Sequence, residues 1–198
     1  MARPEKSNKE EMATVKIENA FWRLMETEKY ADITVLRISQ EAGVNRNSFY
    51  YHYRDIDDLA YIAFKNNVEN EVAGKMIAAL LERFQNDDGK PAVTSDPVAL
   101  LCVERVILCA GSDSPYPRRL VIELLKKVWF HALSIREELL SADEKLQVSF
   151  IFSGLAATLG SQEIKKSPHS MSVLSRTEIG KAVISTMKNI SLSQRKRE

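Results

Sequence analysis

Arg46, Asn47 and Ser48, followed by Tyr50, Tyr51 and His52, crowd hydrogen-bonding side chains into a short stretch of the chain. A guanidinium reaches a guanine edge with two hydrogen bonds, and a carboxamide does the same with adenine or bonds a phosphate. Hydroxyls, phenols and imidazoles are donors suited to phosphates, which fix position without reading sequence. Arg46 and Asn47 are therefore the candidate base readers. Thr34, Ser48, Tyr50 and His52 are the candidate phosphate contacts, and Tyr51, lying between the last two, suits a sugar or a thymine methyl. Phe49 and Tyr53, one helical turn apart, read as packing residues. The amides at the start of a helix beginning near Asn45 add a small anion site. A solvated surface arginine is the competing reading for Arg46, and core packing is the competing reading for the aromatic run.

No other chemistry competes with this. There is no nucleophile–base constellation, phosphate loop or metal-ligand spacing, and His131 and His169 stand alone. The expectation is a protein that is not an enzyme and needs no cofactor. Cys102 and Cys109, seven apart on one helix, are separated by ~10.5 Å along its axis. They read as core thiols that cannot bridge each other. Trp129, Tyr116 and Phe130 read as core rather than as the lining of a ligand pocket.

The elements that must hold the reading residues follow from pattern. Thr34 to Tyr53, TVLRISQEAGVNRNSFYYHY, predicts two short helices around a turn at Ala42-Gly43-Val44. Thr34 and Asn45 are the N-caps, and Gly43 takes the left-handed conformation that closes the first helix. Before it, a helix from about Lys9 to Glu28 carries an apolar stripe at Ala13, Ile17, Ala20, Phe21, Leu24 and Met25. After it, Asp55 opens a fourth helix predicted to run to about Phe84, with a bend at Gly74. Gln85 to Thr94 reads as a loop. Asp96-Pro97 starts the next helix, with Leu100, Leu101, Val103, Val106, Ile107 and Leu108 as its apolar positions, and Gly111 to Pro117 breaks it. Another helix runs through Leu120 to Leu133. Ser141 with Glu144, and Ser175 with Glu178, form capping boxes that open the last two. Arg195 to Arg197 is expected to fray.

The chain has 198 residues, 44% hydrophobic and 28% charged, with a net charge of +1. That is ordinary for a globular protein and long enough for a sizeable core. Two cysteines exclude a disulfide scaffold. The N-terminus is charged and lacks the apolar region of a signal peptide. The longest uncharged apolar run, about Val148 to Gly160, falls short of the ~20 residues of a membrane span. A cytoplasmic protein without membrane contact is expected.

Residues 13–60 resemble the N-terminal domain of TetR/AcrR-type transcriptional regulators, whose usual pattern is T-x-x-x-I-A-x-x-A-G-V-S-x-x-T-F-Y-x-H-F. Thr34, Ile38, Ala42, Gly43, Val44, Ser48, Phe49, Tyr50, His52 and Leu59 fit it. Two positions depart: Lys29 stands where the family usually has glycine, and Ile56 where it usually has a lysine that approaches phosphate. The resemblance implies an all-α fold in two parts. An N-terminal three-helix helix-turn-helix DNA-binding domain would cover residues 9–69, with the motif at 34–53. A larger helical regulatory and dimerisation domain would cover 70–192. It also implies backbone contacts by Tyr50 and His52, and a homodimer through helices at about 142–164 and 175–191. The near-continuous apolarity of Val148 to Leu159 asks for the same cover from a twofold partner. A charge at Ala156 or Ala182 should then yield monomers.

The function expected on these grounds is a dimeric, sequence-specific repressor on a palindromic operator of double-stranded DNA. A small-molecule effector or a partner protein would modulate it. The alternative is a protein-interaction module on the same fold with weak or lost DNA binding. It is motivated by Ile56 and by charge: residues 1–60 hold nine Lys and Arg against eleven Asp and Glu. The usual basic footprint is missing, so a shallow salt dependence is expected.

Overall fold

A computed structural model describes residues 5–68, 96–166, 174 and 176–197, and among them every regular element is a helix or 3-10 turn, with no strand. Helix α1 (Glu5–Thr27) begins a turn earlier than its apolar stripe predicts. Ile17, Ala20, Phe21, Leu24 and Met25 are buried as expected, with Trp22 beside them. A 3-10 turn at Tyr30–Asp32 follows. Lys29 ahead of it has φ −71° and ψ 141°, ordinary extended backbone, so lysine in place of glycine carries no strain here.

Helix α2 (Val35–Ala42) is capped by Thr34, whose Oγ1 accepts the Arg37 N–H at 3.2 Å. Gly43 closes it at φ 65°, the left-handed conformation its position predicts. Helix α3 (Arg46–His52) is capped by Asn45, which accepts the Ser48 N–H at 2.8 Å. Helix α4 (Ile56–Asn67) is capped by Asp55, which accepts the Asp58 N–H at 2.8 Å. The predicted continuation to Phe84, the bend at Gly74, the loop at Gln85–Thr94 and the boundary at 69/70 lie outside the described residues.

The larger part of the chain packs α5 (Pro97–Ala110), α6 (Pro115–Leu133) and α7 (Ala142–Leu159) against one another, with α9 (Glu178–Arg197) on α6 and α7. Between α7 and α9 lies the short α8 (Gln162–Lys166). Asp96 caps α5 as predicted. The buried seam of α5 differs from expectation: Ala99, Cys102, Ile107, Cys109 and Ala110 are buried, whereas Leu100 and Leu101 are exposed. Small residues along that seam let neighbouring backbones come close. The closest approach is at Gly160, where an added Cβ would lie 2.4 Å from the Ala110 carbonyl oxygen. Trp129 and Phe130 meet Phe152 edge-on at 6.0 and 6.2 Å and belong to the core. Both cysteines are buried and unbridged, and burial pushes the Cys109 thiol up to about 12, away from reactive thiolate.

Two expectations for the C-terminal helices are corrected. The helix predicted over 142–164 ends at Leu159, because Gly160 and Ser161 break it before α8. Its capping box at Ser141 and Glu144 is present, and the second predicted box rests on Ser175, outside the described residues. Glu178 is the first residue of α9, and Thr177 is the residue whose hydroxyl accepts, from Gly180 N–H at 3.1 Å. The basic end does not fray: α9 runs through Arg197, whose guanidinium donates to Glu144 at 2.8 and 3.1 Å. That pair, with the Ser141 N–H, holds the Glu144 carboxyl down at about 2.

Ala156 is wholly buried inside the subunit, together with Val148, Ile151 and Phe152, so the chain covers this face of α7 itself. The other face is left open, with Leu146 and Phe150 at 71% and 83% exposure. No helix among the described residues is long and apolar enough to cross a membrane.

Gly160→Ala drives a methyl into the Ala110 backbone, which has no flexible end to yield. A loss of about 3 kcal/mol is expected in chemical denaturation. At Gly43 an added Cβ meets nothing within 4 Å, so Gly43→Ala should cost only the left-handed backbone penalty, about 1 kcal/mol.

Candidate nucleic-acid interface

Helix α3 is two-sided because of where its aromatics fall. Phe49 is fully buried, and Tyr53 at its C-cap is buried on the same side. Arg46, Asn47, Tyr50 and Tyr51, at i, i+1, i+4 and i+5, form the opposite face, and all four are exposed. Tyr51 is 71% exposed, and Tyr50 is 54% exposed with its ring edge-on to Phe49. Ser48 and His52 are half-buried on the flanks, and His52 stands perpendicular to Tyr51 with ring centroids 4.9 Å apart. Thr34 is exposed at the start of α2. Its oxygen already accepts the Arg37 N–H, which leaves its own hydrogen available to an outside acceptor.

The structure thus brings Arg46, Asn47, Tyr50 and Tyr51 onto one outward surface, sets Ser48 and His52 at its edge, and puts Thr34 on the adjoining helix. The small anion site expected at the start of α3 is largely used up. Asn45 already takes the Ser48 amide, and the helix is a bare two turns long.

Behind this surface lies a polar junction that the sequence reading missed. Glu18 of α1 is buried, at 8% exposure. Its carboxylate accepts the Tyr53 hydroxyl at 3.3 Å, Asn66 Nδ2 at 2.9 Å and Asn67 Nδ2 at 2.7 Å. Burial, then the Glu18 charge, raises the Tyr53 pKa, so its proton stays in place at physiological pH. Asn67 Oδ1 in turn accepts Arg105 Nη1 of α5 at 2.8 Å, and the Arg105 guanidinium lies 4.8 Å over the Trp22 ring. One carboxylate therefore joins α1, the end of α3 and the end of α4, and reaches α5 through one carboxamide.

A second junction sits on Tyr30. Its hydroxyl donates to Asp57 at the start of α4, its N–H donates to Asp113 in the α5–α6 turn at 3.1 Å, and its ring stacks on Tyr116. One signal for the first junction was present in the sequence. Glu18, Phe21 and Met25 share a face, so a carboxylate lies on the apolar side of the first helix. Its partners at 66, 67 and 105 are fixed only by the tertiary fold.

The charges around the surface are paired. Arg23 meets Glu41 at 2.7 Å, Arg37 meets Glu28, and Arg54 meets Asp58 at 3.3 Å. Arg46 has no ion pair among the described residues. Ile56, where the resemblance leads one to expect lysine, is partly buried against the core. Comparison of the chain with protein-family models, with curated proteins and with solved structures returns no match.

Glu18→Ala takes the acceptor from the buried Tyr53 hydroxyl and loosens Asn66 and Asn67, of which Asn67 keeps its bond to the Ala63 carbonyl at 2.8 Å. The expected cost is about 3 kcal/mol in denaturant unfolding. Arg46→Ala, on the open face, should stay within about 0.5 kcal/mol of the parent protein in the same measurement.

Proposed function

We propose that the protein is a sequence-specific DNA-binding transcriptional regulator that acts as a homodimer on a palindromic operator. One observation carries the reading: the exposed face of α3 presents Arg46, Asn47, Tyr50 and Tyr51 together, while Phe49 and Tyr53 fix the other face in the core. A short helix anchored by aromatics and offering an unpaired arginine beside a carboxamide is suited to a major groove. Thr34, Ser48 and His52 would hold the flanking phosphates. The resemblance of residues 13–60 to TetR/AcrR-type regulators supports the same reading, with repression as the regulatory outcome.

The open face of α7 supports the dimer. Leu146 and Phe150 are one turn apart, Gly154 and Ala157 continue the row, and Ile179 and Ala182 are exposed on α9. A twofold partner offering the same two helices would cover large apolar side chains now in water. Helix-turn-helix dimers need half-sites about 34–36 Å apart or a multiple of that. An effector or partner protein acting on the larger part of the chain would alter that separation through the Asn67–Arg105 and Tyr30–Asp113 contacts.

Selection of binding sequences from random duplexes tests the function. An enriched inverted repeat is expected, and no enrichment at low salt would leave the protein-interaction module as the better reading. On the enriched site, Arg46→Ala should relax preference at one base per half-site, at a cost of about 1–3 kcal/mol. A uniform loss over all sequences would instead place Arg46 on phosphate. Because Ala156 is internal, the dimer is tested at Phe150→Asp, which should sediment as a monomer. A dimer of unchanged stability would put the interface elsewhere.

A further inference from the structure

Two of the ion pairs bracket α3 along the chain. Arg37 lies in the first turn of α2, and Arg54 follows the residue that caps the end of α3. Their side chains are 47% and 84% exposed, while their partners Glu28 and Asp58 are 26% and 16% exposed. The Arg23–Glu41 pair differs in kind. Arg23 also donates to the Glu41 carbonyl, which ties α1 to α2 as a strap. Arg54 is the one cation between Tyr53 and Asp58, since Ile56 packs inward.

A carboxylate offers a planar guanidinium the same pair of anionic oxygens that a phosphate does. We infer that Arg37 and Arg54 are phosphate clamps held ready by Glu28 and Asp58, whose carboxylates stand where DNA phosphates come to lie and yield the guanidinium when a duplex arrives. The inference rests on the DNA-binding reading above. It accounts for a reading unit in which carboxylates outnumber cations: two of its eleven acids are partners of these two guanidinium groups.

The exchange is energetically easy. Exposed ion pairs contribute little, so a phosphate need be only slightly the better partner. Each displaced carboxylate then stays close to a phosphate and opposes it. Affinity is thereby held down at both clamps, and removing the competing acid raises it.

The test uses the full-length protein and the duplex enriched by selection, titrated across a salt series. Arg37→Ala should reduce the slope of log K against log salt by ~0.9 and weaken binding. Glu28→Gln should bind up to about fivefold more tightly with the slope unchanged. In Glu28→Gln/Arg37→Ala the gain should vanish. Asp58 also accepts the Arg54 N–H at 3.0 Å, so the second clamp is tested by Arg54→Ala, with the same fall in slope.

Unchanged or weaker binding by Glu28→Gln overturns the exchange, as does a gain that survives without Arg37. A parent protein that enriches no duplex overturns both this inference and the function beneath it. Enrichment of an inverted repeat beside a silent Glu28→Gln overturns the exchange alone.

Discussion

The fold of the N-terminal unit depends on one buried negative charge. The chain satisfies that charge, the Glu18 carboxylate, by converging two further elements on it: the tyrosine that ends α3 and the two asparagines that end α4. The consequence is geometric. The depth of α3 is set by Tyr53 Oη and Glu18, and the end of α4 is pinned by Asn66 and Asn67, so the outward face of α3 inherits its orientation from a group on its inward side. The same asparagine that satisfies Glu18 bonds Arg105, which makes the larger part of the chain party to that orientation. Two buried donors in this region, Trp22 Nε1 of α1 and Arg105 Nε of α5, have no partner among the described residues.

Much of this was legible in the sequence where the cause is local. The caps at Thr34, Asn45, Asp55, Asp96 and Ser141, the left-handed Gly43 and the inward Phe49 and Tyr53 each follow from side-chain chemistry acting over a turn of helix, and each is present. What was not legible depends on neighbours far along the chain. Leu100 and Leu101 are large and apolar, yet they are exposed while Ala99, Cys102 and Cys109 are buried, because the neighbours packed on this helix decide which of its faces is covered. Arg197 looks like a tail until Glu144 is placed opposite it. Ala156 looks like a contact surface in a helix apolar on nearly every side; which side the chain covers is decided by Trp129 and Phe130 of another helix. At the candidate site, residue types pointed to the outward face of α3, whereas the pairing of Arg37 with Glu28 depends on how α1 ends against α2.

Charge tells a different story when read by location. Summed over the first sixty residues it is slightly acidic, which argues against a partner as anionic as DNA. Placed in space, five of its eleven acids are committed: Glu18 is buried and bonded, Asp57 receives Tyr30, and Glu28, Glu41 and Asp58 hold arginines. The outward face of α3 carries Arg46, with no ion pair among the described residues, and no acid of its own. A balance sheet of residues and a map of the surface therefore give opposite impressions of the same unit.

The contact of Gly160 with the Ala110 carbonyl has a mechanical meaning beyond its density. Ala110 is the last residue of α5, and Gly160 is the residue that follows α7. The two helices are therefore joined where each of them stops, and the turn that leads into α6 is seated against the break that leads into α8 with no room for a side chain between them.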